Sequence, residues 1–564
     1  MSSRQKSVFY FALLLMTTIP LFSFGLANHG LWTADEPRVA EIGREMARSG
    51  NWAVPTLNQK PFLEEPPLYY ASLAAAFRAL VLSDAVARIP SAVFSFAGVV
   101  ALYFLGSLLF GPRTGFIASL IMATCGEYFR VAHWVIVDSA LTCFVILALA
   151  FFIAAYLSDR PSKRFILYGL CYVSCTLAFY VKGFIGVVIP GLAVLTFLAF
   201  DRNLREVLRM HLWLGVLIFL AMTLPWFLSL WHQGGGEYLK VFFVHNHLER
   251  FAGGSTGHNQ PFYYYLIQFP TAFLPWGILT VPVLFQSFRR QNDTQDRSGK
   301  GPLLMLCWFA AGFLFLSVAS TKRALYLMPL FAPVSLLTAV YIDSTIRGSV
   351  LRKWEKVFVQ AFGFLPLLAG IAAVPALAVA SKKYGFDLPT KELVLTTLFS
   401  AAAVIFSAMA LWKPSREMPR FWIFSSASVL SLLFLGLTAA MPVLDHFKSF
   451  VPFCEAIQAS VPSSDTLYAW QPDETLKGAV PFYTGRFLKE VDSLSQLENA
   501  LHTEKDLFIV IRDKRGAAER KLLSTGRVRV LFKQSMDADR SLAILKNTNA
   551  GPPFVQPAGY GVGE

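Results

Sequence analysis

About thirteen stretches of this chain are apolar for long enough to cross a lipid bilayer as helices, and no other feature restricts its fold so severely. A spanning helix needs roughly 20 mainly apolar residues, because the hydrocarbon layer is about 30 Å thick. The runs fall near 8–27, 86–109, 114–130, 139–157, 165–181, 184–200, 211–231, 262–285, 302–319, 324–342, 357–380, 392–412 and 421–442. Composition agrees. Of 564 residues, 55% are hydrophobic and only 15% charged, whereas soluble domains carry about 25% charged residues. The 51 Phe, 12 Trp and 19 Tyr exclude a disordered chain, since so much apolar surface must be covered. Six Cys without a C-x-x-C pair exclude a disulfide scaffold and a cysteine zinc module. A net charge of +14 then reads as basic loops facing anionic lipid, with no nucleic-acid partner.

Short loops set the orientation. With the N-terminus cytoplasmic, the inner loops hold Arg160, Lys163 and Arg164; Arg202, Arg205 and Arg209; and Arg289, Arg290, Arg297 and Lys300. They continue with Arg347, Arg352, Lys353 and Lys356, then Lys413, Arg416 and Arg420, as the positive-inside rule requires. The first run follows Arg4 and Lys6 but shows no small-x-small cleavage site, so it reads as a retained anchor. An odd number of spans leaves the C-terminal tail on the far side.

Residues 1–444 thus form the membrane domain, with two long outer loops at 28–85 and 231–261. In the first, Asp35 can cap a helix with Pro37 in its first turn, and Val39, Ile42 and Met46 share one face. Pro67 to Leu82 is a second, more apolar helix, and both suit a membrane interface. In the second loop, Gly234-Gly235-Gly236 and Gly253-Gly254 mark mobile turns of a lid. Beyond Met441 the chain turns polar. Strand patterns at Thr466–Trp470, Leu507–Ile511, Arg527–Phe532 and Ser541–Leu545 alternate with helical ones near Leu494–Leu501 and Ala517–Leu523. Residues 445–564 therefore read as a small α/β domain ending in a flexible Gly/Pro-rich tail.

Charges at the outer helix ends are the candidates for chemistry, because a charge at mid-bilayer costs at least about 2.5–3.5 kcal/mol. They are Asp35-Glu36-Pro37-Arg38; Lys60 with Glu64-Glu65-Pro66-Pro67; Asp138; His245-Asn246-His247-Leu248-Glu249-Arg250; and Lys182, Lys322 and Arg323. Singly, each has an ordinary explanation. Asp35 can be an N-cap and Asp138 a helix start, the histidines can be solvated, and the cations can snorkel to headgroups. Together they place acids, imidazoles and cations on one side of a membrane.

Leu31–Arg38, Val39–Met46, Ser49–Trp52, Pro55 and Glu64 through Tyr70 together resemble the first outer loop of the ArnT-type glycosyltransferases. The likeness continues at Ala87–Ala92, Lys182-Gly183-Phe184, His247–Phe251, Pro275-Trp276 and Lys322 through Pro329. That family belongs to the GT-C superfamily, with the protein O-mannosyltransferases as relatives. The resemblance implies about 13 spans, amphipathic juxtamembrane helices and a periplasmic α/β domain, in a bacterial inner membrane and as a monomer. It implies an inverting transfer of a sugar, 4-amino-4-deoxy-L-arabinose or a related one, from undecaprenyl phosphate to lipid A or another glycolipid. On this reading Asp35, Asp138 and Glu36 are the acidic candidates for catalysis. Arg38, Lys182, Lys60, Tyr326, Lys322 and Arg323 are candidates for the carrier phosphate. Glu64 and His247 match a metal pair, zinc by ligand type, which His245, His258 or a substrate oxygen would complete. Arg250 lies beside them.

One position departs from the family pattern. Where Glu-Lys-Pro-Pro is usual, this chain has Glu64-Glu65-Pro66-Pro67, an acid where a lysine would face the phosphate. Either Glu65 turns away and Lys60, Arg38 or Lys182 supplies the charge, or Glu65 recognises a cationic group such as an amino sugar, or it signals a different donor. The rival functions are a protein O-glycosyltransferase and, from another class, a lipid-linked sugar flippase. A flippase needs polar groups deep along its path, and here the charges gather at one face.

Overall fold

The computed structural model describes residues 2–249, 259–293, 300–384, 389–412, 417–504, 506–536 and 539–548. Among them, ten helices are long and apolar enough to cross a membrane, among them Asp84–Phe110, Asp138–Tyr156, Pro161–Lys182, Lys300–Val318 and Ala324–Ile346. The chain is an integral membrane protein. The three remaining runs differ from the expected unbroken spans. Residues 114–130 divide into Pro112–Ala123 and Gly126–Ala132, and 262–285 divides into Tyr264–Ala272, a 3-10 turn at Trp276–Leu279 and Thr280–Asp293. The third, Ile185–Phe200, is a shorter apolar helix. Pro270 and Pro275 explain the second break, since proline carries no N–H for the helical ladder.

Helices at the rim keep apolar side chains exposed. On Leu212–Lys240, Trp213, Leu217, Leu220, Leu224 and Leu228 all face outward, an arrangement that lipid accommodates and water does not. This helix also absorbs the glycine run. Gly235, at φ +63°, kinks it, and a π-helix continues at Val241–Glu249 instead of the expected turn. Gly253-Gly254 lies outside the described residues.

The first long loop is buried more deeply than its interfacial character suggests. Helix Glu36–Ser49 buries Val39, Ala40, Ile42 and Met46, but also Glu36, Glu41, Arg44 and Glu45. It packs against both Leu68–Ala79 and the helix Glu474–Thr484 far along the chain. Three of these charges are paired: Arg44 donates to both oxygens of Glu41 at 2.5 and 2.6 Å, and Arg88 donates to Glu36 at 2.9 Å, while Glu45 accepts from Thr56 Oγ1 at 2.6 Å and Gln59 N at 3.1 Å. An unmatched charge there would be strongly destabilising.

The C-terminal residues form a five-stranded sheet in which Lys489–Val491 at one edge is followed by Leu467–Trp470, Phe508–Lys514, Arg540–Asn547 and Val528–Ser535. Its strands are β3 (Leu467–Trp470), β4 (Lys489–Val491), β5 (Phe508–Lys514), β6 (Val528–Ser535) and β7 (Arg540–Asn547). The labels β1 (Thr56–Leu57) and β2 (Lys60–Pro61) belong to a small hairpin in the first loop. Strands β4, β3 and β5 are parallel, while β7 runs antiparallel to both β5 and β6. Leu467, Ala469, Val510 and Ile544 pack one face of the sheet with Phe453, Ile457, Leu476 and Ala479. Tyr468, Ile509, Ile511 and Leu545 pack the other with Leu497 and Leu522. Cover on both faces explains why β3 and β5 read as continuous apolar runs.

Hairpin β1–β2 joins the two halves. Asn58, at its tip with φ +52°, donates to the Leu488 carbonyl at 2.9 Å and accepts from the Leu488 N–H at 2.8 Å. One amide side chain therefore imitates a strand neighbour at the edge of the sheet.

Candidate functional site

A cavity of about 1180 Å³ opens where the first loop, one end of the helix bundle and the C-terminal sheet converge. The helix ends place its polar groups. Asp138 begins the helix Asp138–Tyr156 and Lys182 ends Pro161–Lys182, so an antiparallel pair delivers both to one level. Lys182 Nζ donates to Asp138 Oδ1 at 2.6 Å and stands 4.8 Å from the centre of the Tyr326 ring. A separate cluster marks the opposite end of the same helix. There Lys300 Nζ lies 3.3 Å from both Tyr156 and Asp201.

Asp35 precedes the helix Glu36–Ser49 but makes no side-chain cap bond to it, contrary to the N-cap expected. Two guanidinium groups hold its carboxylate instead: Arg38 at 2.8 Å and Arg323 at 2.6 Å. Burial works to raise the pKa of Asp35. The hydrogen bond and charge of Arg323, with the charges of Arg38 and Lys182, outweigh it and hold the group below the ordinary carboxylate range. Asp35 is thus kept ionised. Arg38 reaches further, to Glu474 at 2.5 Å and Glu64 at 3.7 Å, and its Nε is buried without a partner among the described residues.

Glu65 is among the residues that line the cavity. It accepts a 3.3 Å hydrogen bond from Tyr70. Burial pushes its pKa up, Lys182 and Arg38 pull it down, Asp138 and Glu64 push it up again, and the net shift is upward. A wall of Phe184, Ile185, Val188, Phe315 and Leu316 completes the membrane side.

Sequence reasoning brought together Asp35, Arg38, Glu64, Glu65, Asp138, Lys182, His245, Arg323 and Tyr326, and all of these line the cavity. Three candidates do not. Glu36 is fully buried behind it, accepting from Arg88, Trp32 N and Val135 N, so its carboxylate is committed to the scaffold. Lys60 points to Glu490 at 2.8 Å on the sheet, because the hairpin carries it towards β4. Lys322 is buried and donates to the carbonyls of Gln260 and Ala319, which turns its ammonium away. Arg250, His258 and the side chain of His247 lie outside the described residues.

The metal expectation rests on Glu64 and His247, and the side chain of His247 lies outside the described residues. Among them no group of three or more His, Cys, Asp or Glu is placed to hold an ion. Glu64 approaches Arg38, and His245 Nδ1 lies 2.8 Å from Glu249, so both are engaged in ion-pair or hydrogen-bond contacts.

The C-terminal domain supplies further lining residues. Asp473, Glu474, Thr475, Arg512 and Arg540 all line the cavity. Asp473 caps the helix Glu474–Thr484, accepting from Leu476 N at 2.9 Å, and its other oxygen pairs with Arg512. An Asp ahead of a helix is a recognisable capping signal, but nothing in the sequence places Asp473 at the cavity.

Comparison with known proteins adds three findings. A family model described as dolichyl-phosphate-mannose-protein mannosyltransferase matches residues 64–229. Two relatives share the name undecaprenyl phosphate-alpha-4-amino-4-deoxy-L-arabinose arabinosyl transferase. The one from Pseudomonas aeruginosa is 30% identical over 449 residues, covering 78% of this chain and 77% of the relative. The one from Pseudomonas savastanoi is 31% identical over 363 residues, covering 64% of this chain, and the match spans only 66% of that relative's length. Among solved structures, ArnT from Cupriavidus metallidurans bound to undecaprenyl phosphate has the same fold, with TM-score 0.75 and 20% identity over 96% of this chain and 99% of that one.

Proposed function

The chain belongs to the ArnT-type glycosyltransferases of the GT-C superfamily, and on that footing we propose that it moves a sugar from undecaprenyl phosphate to a membrane glycolipid. The observation that carries this reading is the ionic array around Asp35 and Asp138, set beside an apolar wall. A polyprenyl phosphate has the same two parts: an anionic head, and a tail that belongs in lipid.

In the reaction, the bond between the sugar carbon and the phosphate oxygen breaks, and negative charge grows on the departing phosphate. Lys182, Arg323 and Arg38 are the cations that would stabilise it, and preorganised charge in a partly enclosed cavity acts more strongly than in water. The unpartnered Nε of Arg38 offers an N–H for an oxygen of that phosphate. Asp35, kept ionised, faces the sugar carbon as positive charge develops and orients the incoming acceptor oxygen. An acceptor phosphate is already ionised, so no strong base is required; a hydroxyl acceptor would give its proton to Asp35. One displacement inverts the sugar carbon.

We assign the sugar as 4-amino-4-deoxy-L-arabinose or a relative, because the name shared by the relatives specifies it and Glu65 lines the cavity as an acid able to meet an amino group. The acceptor is lipid A or a similar glycolipid, the enzyme is a monomer of the bacterial inner membrane, and the cavity faces the periplasm, as the basic loops at the opposite ends suggest. The test is transfer of radiolabelled sugar from its undecaprenyl-phosphate carrier to lipid A by the purified protein. Label arriving on lipid A supports the reading. Label found on peptide would favour the protein O-glycosyltransferase, a rival that the mannosyltransferase family model keeps in view. Label crossing a sealed vesicle while still on its carrier would make the protein a flippase.

A further inference from the structure

The cations of the cavity come from two different sources. Lys182, Arg323 and Arg38 surround Asp35 and Asp138 from the helix ends and the first loop. Arg512 and Arg540 arrive from the sheet. Strand register puts these two together: Arg512 lies opposite Leu542 and Lys514 opposite Arg540, so Arg512 and Arg540 are diagonal neighbours on one face. Further along, the same face carries Val510 and Ile544 into the core beneath the helix Glu474–Thr484. Its other end therefore opens on the cavity.

Arg512 is held in an unusual state for a surface-domain arginine. Its side chain is only 8% exposed, one nitrogen pairs with Asp473, and its Nε is buried with no partner among the described residues. Arg540 has no carboxylate partner among the described residues. Burying guanidinium nitrogens without hydrogen bonds is unfavourable, and a ligand oxygen would relieve it. Asp473 itself is 47% exposed and already uses one oxygen as a helix cap, so it is a weak competitor for that role.

Two anionic substrates cannot share one set of cations. Two adjacent acids separate the sets: Glu474 pairs with Arg38 of the membrane-side cations, and Asp473 pairs with Arg512. We propose that Arg512 and Arg540 bind a phosphate monoester of the membrane-borne acceptor, apart from the cations that hold the carrier phosphate. The inference rests on the transferase reading above. A phosphate with charge near −2 displaces a carboxylate from a guanidinium and can take two parallel hydrogen bonds from it.

The test measures binding to the full chain in detergent, with three probes: phosphorylated lipid A, the same lipid stripped of phosphate, and undecaprenyl phosphate. Arg512→Gln and Arg540→Gln are expected to weaken the phosphorylated lipid about tenfold, the loss of a charge-assisted pair. They should leave the dephosphorylated lipid and undecaprenyl phosphate unchanged, the latter also showing that each variant is folded. Asp473→Asn keeps a capping residue but removes the competing charge, and should tighten the phosphorylated lipid severalfold. Parallel weakening of undecaprenyl phosphate would overturn the proposal by assigning both arginines to the carrier site. Unchanged lipid A binding in the arginine variants, or weaker binding in Asp473→Asn, would overturn it by reducing the pair to a structural latch. Failure of the transferase reading would appear elsewhere, as wild-type protein that binds these lipids and transfers no sugar.

Discussion

Asp35 and Glu65 are both acids lining one cavity, yet their surroundings drive them in opposite directions. Asp35 sits between two guanidinium groups and stays ionised; Glu65 has burial and two nearby acids against it. Asp35→Asn removes the one carboxylate that both Arg38 and Arg323 hold, and transfer should fall about a thousandfold, read as kcat in the labelled-sugar assay. Glu65 leads to a stability prediction. Its folded-state pKa is raised, so the folded chain binds that proton more tightly than the unfolded chain does, and stability declines as pH climbs from the ordinary glutamate value to the raised one. Glu65→Gln has no such penalty. Its melting temperature in detergent should exceed that of the wild type at pH 8, and the gap should shrink towards pH 4.5. The sign is reversed for Asp35, whose contribution is present at neutral pH and is lost as pH falls through its lowered value.

Helix Glu474–Thr484 is the element on which the site's geometry turns. A Cβ on Gly478 would lie 2.5 Å from the backbone of Pro37 and Arg38, so glycine is required for this helix to approach the start of Glu36–Ser49 so closely. Gly478→Ala must push one helix from the other and carry Arg38 with it. It should lower the melting temperature and reduce transfer together, whereas Gly485→Ala, with nothing within 4 Å of its added carbon, should be strained only by its φ of +73° and spare transfer. The two strongest local patterns, apolar length and short strand-like runs, made most elements legible: β3, β5, β6 and β7 lie within a few residues of their expected places. Glu474–Thr484 escaped notice because Pro481 interrupts its pattern and a glycine, Gly478, stands where it approaches Pro37 and Arg38. Strand β4, only three residues long, carries too little periodicity to detect.

At the scale of the whole molecule, the C-terminal sheet is part of the site. A chain ending near residue 448 should still insert its helices but transfer no sugar, checked by protease protection of the spans beside the transfer assay. The milder Asn58→Ala removes two hydrogen bonds between hairpin and sheet, about 1–3 kcal/mol, and should loosen the sheet at lower denaturant concentration than the wild type. The membrane half of the site was readable because charge is rare in apolar sequence, and Asp35, Arg38, Asp138, Lys182 and Arg323 stood out for that reason. Glu36 misled for the same cause: a buried scaffold pair with Arg88 looks, in one dimension, like a reacting group. In a polar domain Asp473, Glu474 and Arg512 were camouflaged, and no pattern in the chain says that Arg38 meets a residue 436 positions later. That separation has a consequence for biosynthesis. The ribosome must finish nearly the whole message, and the last span must be threaded, before Glu474 can be delivered to Arg38. A nascent chain therefore holds an unassembled centre throughout its insertion, and cannot consume lipid-linked sugar until its final segment has folded against the first loop.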